Sequence, residues 1–478
     1  MAQTTLPSAG TDTITLSQSL ARFAAEATYD ALPDEVRASV RQRLLDTLGI
    51  ALAATNLDSS QGVLDHLVAQ GGRPDAQVIG LANRLPAAQA AFANGVLAHS
   101  LDYDDTHLPS ILHPSATVVP AALAAAEAAD ATGAQLVAAI AVGLEVCVRV
   151  GMAGYDREAR NSLYFDRGQH ATSMCGALGG AVAAGLLLGG TESQIADSLG
   201  VAASMASGII EANRTGGTVK RIHCGWAAHA AVNAAELVRA GISGPPTVFE
   251  GRFGFFQCFL DGNYSPDEIT DGLGVDWAAP GIHFKPYPAN HFTHTAIDAG
   301  LQLRERGVNP EDIASIELGV AGPTVRTIGE PIEVKRTPQT GYQAQFSGPY
   351  VLAAALLGGG GLGLGLEDFT DELAREPRRR ALMEKVSVVA KERCAGIYPE
   401  EFPAVVRVRF TDGREEIIEV LENRGGPGRP LSDAEVSEKF RDNAGRRLAS
   451  DRVESLAAVI LGLGEATPVR EVMGLVAG

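Results

Sequence analysis

The sequence predicts a mainly α protein: a large all-helical domain, discontinuous in the chain, plus a smaller α+β lid domain. Three observations carry this expectation. Between about residue 14 and about residue 270, Ala- and Leu-rich runs repeat at helical spacing with almost no alternating pattern. After Gly274 the apolar alternation of strands sets in. Past the breaker-rich segment NRGGPGRP, a helix-opening signature returns. The expected division is a helical domain from 1–275 with 429–478, around a lid domain at 276–428.

In order along the chain, helical runs are expected at 34–54, 86–101, 122–150, 176–188, 192–208 and 226–240. The lid opens with GIHFKPYPAN, after which AIDAGLQLRERGV reads as a helix and ASIELGVAG as a strand. Further helices are expected at about 349–357 and 371–391. AVVRVRFTDGREEIIEVLE reads as two strands joined at Asp412-Gly413, a pair suited to the positive φ of a tight turn. Ser432-Asp-Ala-Glu435 is a capping box that opens one more helix, expected to pack back on the first domain. Two strongly apolar stretches, 116–144 and 175–190, carry Glu127 and Asp130 or several glycines, which suits buried helices better than membrane spans.

The composition narrows the function. Across 478 residues, 39 Lys+Arg stand against 57 Asp+Glu, a net charge of −18. Nucleic acid and anionic membrane are poor partners for such a chain, and an anionic ligand requires its few cations to be gathered in one place. The opening MAQTTLPSAGTDTITLSQSL has neither a basic n-region nor an apolar h-region, so a cytoplasmic location is expected. The five cysteines are far apart with no C-x-x-C pair, which predicts reduced, mostly buried thiols, no iron–sulfur cluster and no structural zinc.

The densest chemistry lies in His99-Ser-Leu-Asp102-Tyr-Asp104-Asp105-Thr106-His107, followed by His113-Pro114-Ser115. If the helix from Pro86 continues this far, His99 shares a face with Asp102, and Asp102 with Thr106. Taken singly, each aspartate is better read as a cap on a solvated helix end; the cluster as a whole points to a site. Asp102-x-Asp104-x-Thr106 resembles the haloacid-dehalogenase phosphatase signature, which requires a preceding strand, whereas QAAFANGVLAHS reads as helix. The acid motif of class II terpene cyclases is also similar, but two tryptophans cannot line a carbocation pocket.

A second cluster, Arg167-Gly168-Gln169-His170-Ala171-Thr172-Ser173, and a third, Gly216-Gly217-Thr218-Val219-Lys220-Arg221-Ile222-His223-Cys224-Gly225, each stand immediately before a helix, as His113-Pro114 does. Three cationic or imidazole-bearing segments at helix N-termini together predict a carboxylate- or phosphate-binding pocket. Alone, Lys220 reads as a surface lysine and His170 as a core histidine. A fourth cluster, His283, Lys285, Tyr287, Asn290, His291 and His294, opens the lid, and Tyr350 opens a helix within it. The glycine run at 358–361 with Gly363 satisfies G-x-G-x-x-G without a preceding strand and reads as a connector. There is no G-x-S-x-G and no H-E-x-x-H.

In order, LAHSLDYDDTH…HPSATVVPAALAAAE, RGQHATSMCGALGGAVAAGLLLG, GGTVKRIHCGWAAHAA, FKPYPANHFTHTAIDA and GRPLSDAEVSEKF resemble the MmgE/PrpD family over nearly the whole chain. The resemblance implies a helical domain interrupted by an α+β lid, a homodimer, no metal or other cofactor, and a pocket between the domains. It places the family's site on Asp102, Thr106, His113, His170, Lys220, His294 and Tyr350. Two positions depart from the family pattern: Gln169 and His107 stand where an aromatic residue is usual.

The implied activity is that of a cofactor-free lyase on a small di- or tricarboxylate, with dehydration of the 2-methylcitrate type first. Epimerisation or decarboxylation of a related acid is the alternative, and a non-catalytic carboxylate-binding paralogue a remote one. Each reaction develops negative charge beside a carboxylate, which cations in a dry cleft stabilise. Histidine begins with a pKa suited to the proton transfer. In this reading Lys220 holds substrate carboxylates and His113 moves the proton. His170 and Asp102 orient or polarise, and His294 with Tyr350 closes the site from the lid. Thr106, His223, Lys285 and Tyr350 contact the substrate.

Overall fold

The computed structural model describes residues 14–212 and 217–478. Most of the opening segment, through residue 13, and Gly216 of the third cluster lie outside the described residues. The helical part is built from Leu16–Glu26 (α1), Asp34–Ala54 (α2), Asp58–Gln70 (α3), Ala87–His99 (α4), Ser115–Ala128 (α5), Gly133–Ala153 (α6), Ala171–Leu187 (α7), Glu192–Met205 (α8) and Lys220–Arg239 (α9). Capping boxes at Thr132/Gln135 and Thr191/Gln194 start α6 and α8 by satisfying backbone N–H groups the helix itself leaves free. α6 is long and apolar enough to cross a membrane, yet 94% of its apolar window is buried inside the protein. Its Glu145 and Arg149, one turn apart, pair at 2.5 Å.

Small residues set how closely these helices meet. A Cβ on Gly95 of α4 would lie 2.8 Å from the Gly225 Cα of α9, and one on Gly225 would lie 2.5 Å from the Phe92 carbonyl. Larger residues at this crossing would push α9 outward, and with it Lys220 and His223 in its first turn.

Four strands form the sheet of the α+β part: Ile313–Val320 (β1), Val386–Ala390 (β2), Ala404–Phe410 (β3) and Glu415–Val420 (β4). Their order is β2-β1-β3-β4, with β1 and β2 parallel and the other pairs antiparallel. At the β3–β4 turn only Gly413 takes a positive φ, 87°. Helices His294–Glu305 (α10) and Gly348–Leu357 (α11) share one apolar core with this sheet, formed by residues such as Ile297, Leu318, Val351 and Val406. Asp433–Ala444 (α12), opened by the Ser432/Glu435 capping box, and Ser450–Leu461 (α13) follow. Val436, Phe440, Leu456 and Ile460 on these two helices enter the other core, together with Leu44, Val119 and Leu178. That core is therefore drawn from both ends of the chain.

Several elements differ from the sequence reading. The run 122–150 is two helices, because Asp130 takes a left-handed φ of 51° and Thr132 caps a fresh start. The helix expected at 226–240 begins earlier, at Lys220. The run 371–391 is not one helix: Pro377 starts a separate short helix, Pro377–Met383, and the β-branched VSVVA that follows pairs with β1 as a strand. The helix expected to reach residue 101 stops at His99, which reshapes the site.

Candidate active site

After His99 the chain leaves the helix. The Ser100 hydroxyl donates to the Val96 carbonyl at 2.6 Å, and Asp102 adopts a left-handed φ of 52°. The shared helical face expected for His99, Asp102 and Thr106 does not form. Instead, residues 100–107 make a loop that sends its three aspartates to different partners. Thr106 ties the loop to the start of the α+β part through paired backbone hydrogen bonds with His283, 2.8 Å each.

Asp105 faces Arg43 of α2, 2.8 Å away in an ion pair whose members are 1% and 2% exposed. It also accepts from the Ser115 backbone at 3.2 Å, anchoring the N-terminus of α5. The Arg43 guanidinium donates in addition to the Ala279 and Ile282 carbonyls, on the segment that enters the α+β part. Lys439 of α12 donates to the Tyr103 carbonyl at 3.1 Å, lies 3.9 Å over the Tyr103 ring and pairs with Asp46 at 2.7 Å. These buried cations fix the loop from beneath. Sequence reasoning missed Arg43, Asp46 and Lys439: on their own helices they show only as charges in an amphipathic pattern.

Asp102 meets two ammonium groups. Lys285 donates to its carboxylate at 3.1 Å and to its carbonyl at 3.0 Å, and Lys220 lies 3.9 Å from the same carboxylate oxygen. Burial works against a charged Asp102, but Lys285 and then Lys220 hold it well below the usual carboxylate range. The converse holds at Lys220: burial lowers its pKa, and Asp102, together with Tyr342 and Asp104, more than restores it.

Four imidazoles adjoin this loop. The His113 backbone donates to the Thr172 hydroxyl at 3.1 Å. Its Nδ1 lies 2.7 Å from the Asp105 carbonyl, which can only accept, so Nδ1 carries the proton and Nε2 keeps its lone pair. The Thr106 hydroxyl is 3.4 Å from the same Nδ1. His99 Nδ1 is 2.6 Å from Asp104. His170, at the start of α7, and His223, in the first turn of α9, face each other Nδ1 to Nδ1 at 3.1 Å, so one proton is shared there. Ring centroids run 5.3 Å from His113 to His99, 5.5 Å on to His170 and 5.1 Å on to His223. Among the described residues, neither α7 nor α9 has a side-chain cap at its N-terminus.

Burial dominates their proton affinities. It pushes His113 down to about 3, against the pull of Asp104. It lowers His223 to about 4, and takes His170 well below its usual value with help from His99. His99 goes the other way, to about 10: burial lowers it, but Asp104 and then Cys224 together outweigh that. Asp104 is held well below the usual range, its own burial overcome first by His99.

From the α+β part, His294 donates through Nε2 to the Ala289 carbonyl at 3.1 Å, and burial brings its pKa to about 3. Its Nδ1, with Asp102 Oδ2 and Asp104 Oδ1, is buried without a hydrogen-bond partner among the described residues. Buried polar groups rarely go without a partner, so these atoms are open to water or a polar ligand. Asp102, Thr106, His113, His170, Lys220, His223, Lys285 and His294 thus gather about one loop.

Tyr350 stands apart from this group. Ser347 caps α11 and turns Tyr350 into the core of the α+β part, where its hydroxyl donates to the Asp368 carbonyl and its ring packs near Phe369. The departures from the family pattern are also committed locally: Gln169 donates to the Phe259 carbonyl, and His107 lies 2.6 Å from the Ser110 hydroxyl.

Comparison with known proteins gives the family. The MmgE/PrpD N-terminal domain matches residues 18–267, and the MmgE/PrpD C-terminal domain matches residues 287–464. A cis-aconitate decarboxylase of Homo sapiens is 31% identical over 451 residues, covering 90% of this chain and 88% of that protein. A cis-aconitate decarboxylase of Aspergillus terreus is 27% identical over 477 residues, covering 96% and 95%. A 2-methylcitrate dehydratase of Salmonella typhimurium is 26% identical over 462 residues, covering 90% and 91%. With both family domains matched in order across most of its length, the chain belongs to the MmgE/PrpD family.

Proposed function

We propose that this chain is a cofactor-free lyase acting on a small di- or tricarboxylate, as a hydro-lyase of the 2-methylcitrate dehydratase type. One observation carries the reading: Lys220 and Lys285 converge on the loop where His113 presents a bare, neutral Nε2. The two ammoniums bind substrate carboxylates and stabilise the charge that develops beside them. His113 Nε2 removes the proton from the carbon next to a carboxylate. Lys220 or the His170/His223 pair supplies the proton that leaves with the hydroxyl as water. Thr106 and Asp102 fix the reacting end, and His294 approaches from the α+β part, which acts as a lid.

A second reading is favoured by the higher identity to cis-aconitate decarboxylases. There, carbon dioxide leaves and His113, having taken up a proton, delivers it to the carbon left behind. Either lyase would work as a homodimer in the cytoplasm, without nucleic acid or membrane as partner.

The test is proton NMR in D2O with 2-methylcitrate, citrate, cis-aconitate and iminodisuccinate. Loss of water supports the first reading and loss of carbon dioxide the second, whereas deuterium exchange with inversion would make the chain an epimerase. Ligands that raise the melting temperature without turning over would leave a binding protein and overturn the lyase reading.

A further inference from the structure

His99 lies outside the groups so far assigned a role, yet it occupies the middle of the imidazole row. It is the last residue of α4, where the helix dipole favours a cation, and it is 4% exposed. Its 2.6 Å contact with Asp104 has the length of a charge-assisted hydrogen bond. Asp104 is also 3.8 Å from His113 Nδ1. The groups facing His99 are Asp104 from the loop, His113 ahead of α5, His170 at the start of α7, and Cys224 in the first turns of α9. Lys220 and Lys285 stand further off around Asp102.

We propose that His99 is a positioning residue of this site, held as an imidazolium by Asp104, and that the pair sets the proton affinity of His113 and His170 on either side. The arrangement acts with opposite signs. Asp104 pulls a proton toward His113, and the His99 charge resists a second imidazolium at His113 or His170. A unit charge at 5.3–5.5 Å is worth about two pH units at an effective dielectric constant near 20. Removing His99 leaves Asp104 unbalanced beside His113, whereas removing the Asp104 charge takes away the nearer attraction at 3.8 Å together with the more distant imidazolium it holds.

The kinetic part of the test rests on the lyase reading; the spectroscopic part does not. In 15N spectra of the histidine rings at pH 8.5, a ring with both nitrogens protonated is expected in the wild type and is lost in His99→Gln. Absence of any such ring, or its persistence in His99→Gln, overturns the proposal whether or not the chain turns over an acid. In pH profiles of kcat/KM on the acid that is turned over, His99→Gln is expected to raise the acidic limb by a pH unit or more, and Asp104→Asn to lower it. Shifts of the same sign in both variants, or a loss of rate with the limb unmoved, would reduce the pair to a structural contact and also overturn it. If no acid is turned over, the lyase reading fails on its own, and the ring spectra still decide the charge of His99.

Discussion

Acidification is the perturbation that bears most directly on the buried imidazoles. His113 and His294, each near 3, and His223, near 4, bind protons in the native chain far less readily than in the unfolded chain, where histidine titrates near 6.5. Below pH 6.5 the unfolded state therefore takes up protons that the native state refuses, and stability falls as pH falls. Between pH 7 and pH 5, each of the three contributes a loss of roughly 2 kcal/mol, about 6 kcal/mol if they act independently. His99 and the buried carboxyls of Asp46, Glu127 and Glu145, all raised, oppose this. His99, raised to about 10, gains roughly 1 kcal/mol over the same interval, because its contribution is full below 6.5 and fades only as pH rises toward 10. Asp46, raised to about 6, is stabilised by roughly another 1 kcal/mol on protonation. The net loss from these groups is about 4 kcal/mol, and His107, pushed down to about 3, adds to it along with His170 and His291, all lowered by burial. That is a large part of a typical domain stability of about 5–15 kcal/mol. Urea unfolding at pH 7, 6 and 5, repeated for His113→Gln, His223→Gln and His294→Gln, measures it, and each variant is expected to flatten the pH dependence by its share. A wild-type stability that varies by less than about 1 kcal/mol across this range would refute the claim that these rings are held neutral.

Three substitutions extend the test. Lys285→Met removes one of the two ammoniums on Asp102 and is expected to lower kcat/KM about 10- to 100-fold, the worth of one charge-assisted hydrogen bond; an unchanged value would place substrate binding elsewhere. Arg43→Met strands the Asp105 carboxylate and the Ala279 and Ile282 carbonyls, with an expected loss of about 3–5 kcal/mol in chemical denaturation, and the Arg43→Met/Asp105→Asn double variant should recover part of it. Tyr350→Phe is expected to lose about 1 kcal/mol of stability with kcat/KM within threefold of wild type, because its hydroxyl serves Asp368; a larger kinetic effect would bring that hydroxyl back to the reaction.

The architecture is legible where the signal is local. The bounds of α2 match the expected 34–54, since a breaker precedes it and helix formers fill it. The β3–β4 hairpin and the Ser432 cap are equally local. The site is legible in its cast and not in its connections. Helical spacing paired His99 with Asp102, whereas the left-handed turn at Asp102 gives His99 to Asp104 and frees Asp102 for Lys285, 183 residues away. No periodicity encodes such a partner. Tyr350 goes the other way: the family resemblance set it against the substrate, and the Ser347 cap turns it into a core.

The buried cations around the loop fall into two kinds, and the difference explains how an acidic chain can receive an acidic ligand. Arg43 and Lys439 each have a carboxylate of their own, Asp105 at 2.8 Å and Asp46 at 2.7 Å, so their charge is spent on holding the loop. Lys220 and Lys285 share the single carboxylate of Asp102, at 3.9 Å and 3.1 Å, and His99 is matched by Asp104. Among the described residues, one positive charge is left over beside imidazoles that are neutral. A dicarboxylate entering there brings more negative charge than that surplus, and the balance favours protonating an imidazole that burial and the neighbouring cations keep bare. Binding of the anion would thereby create the acid that either lyase reaction needs, with the loop already fixed by the two cations that take no part in it.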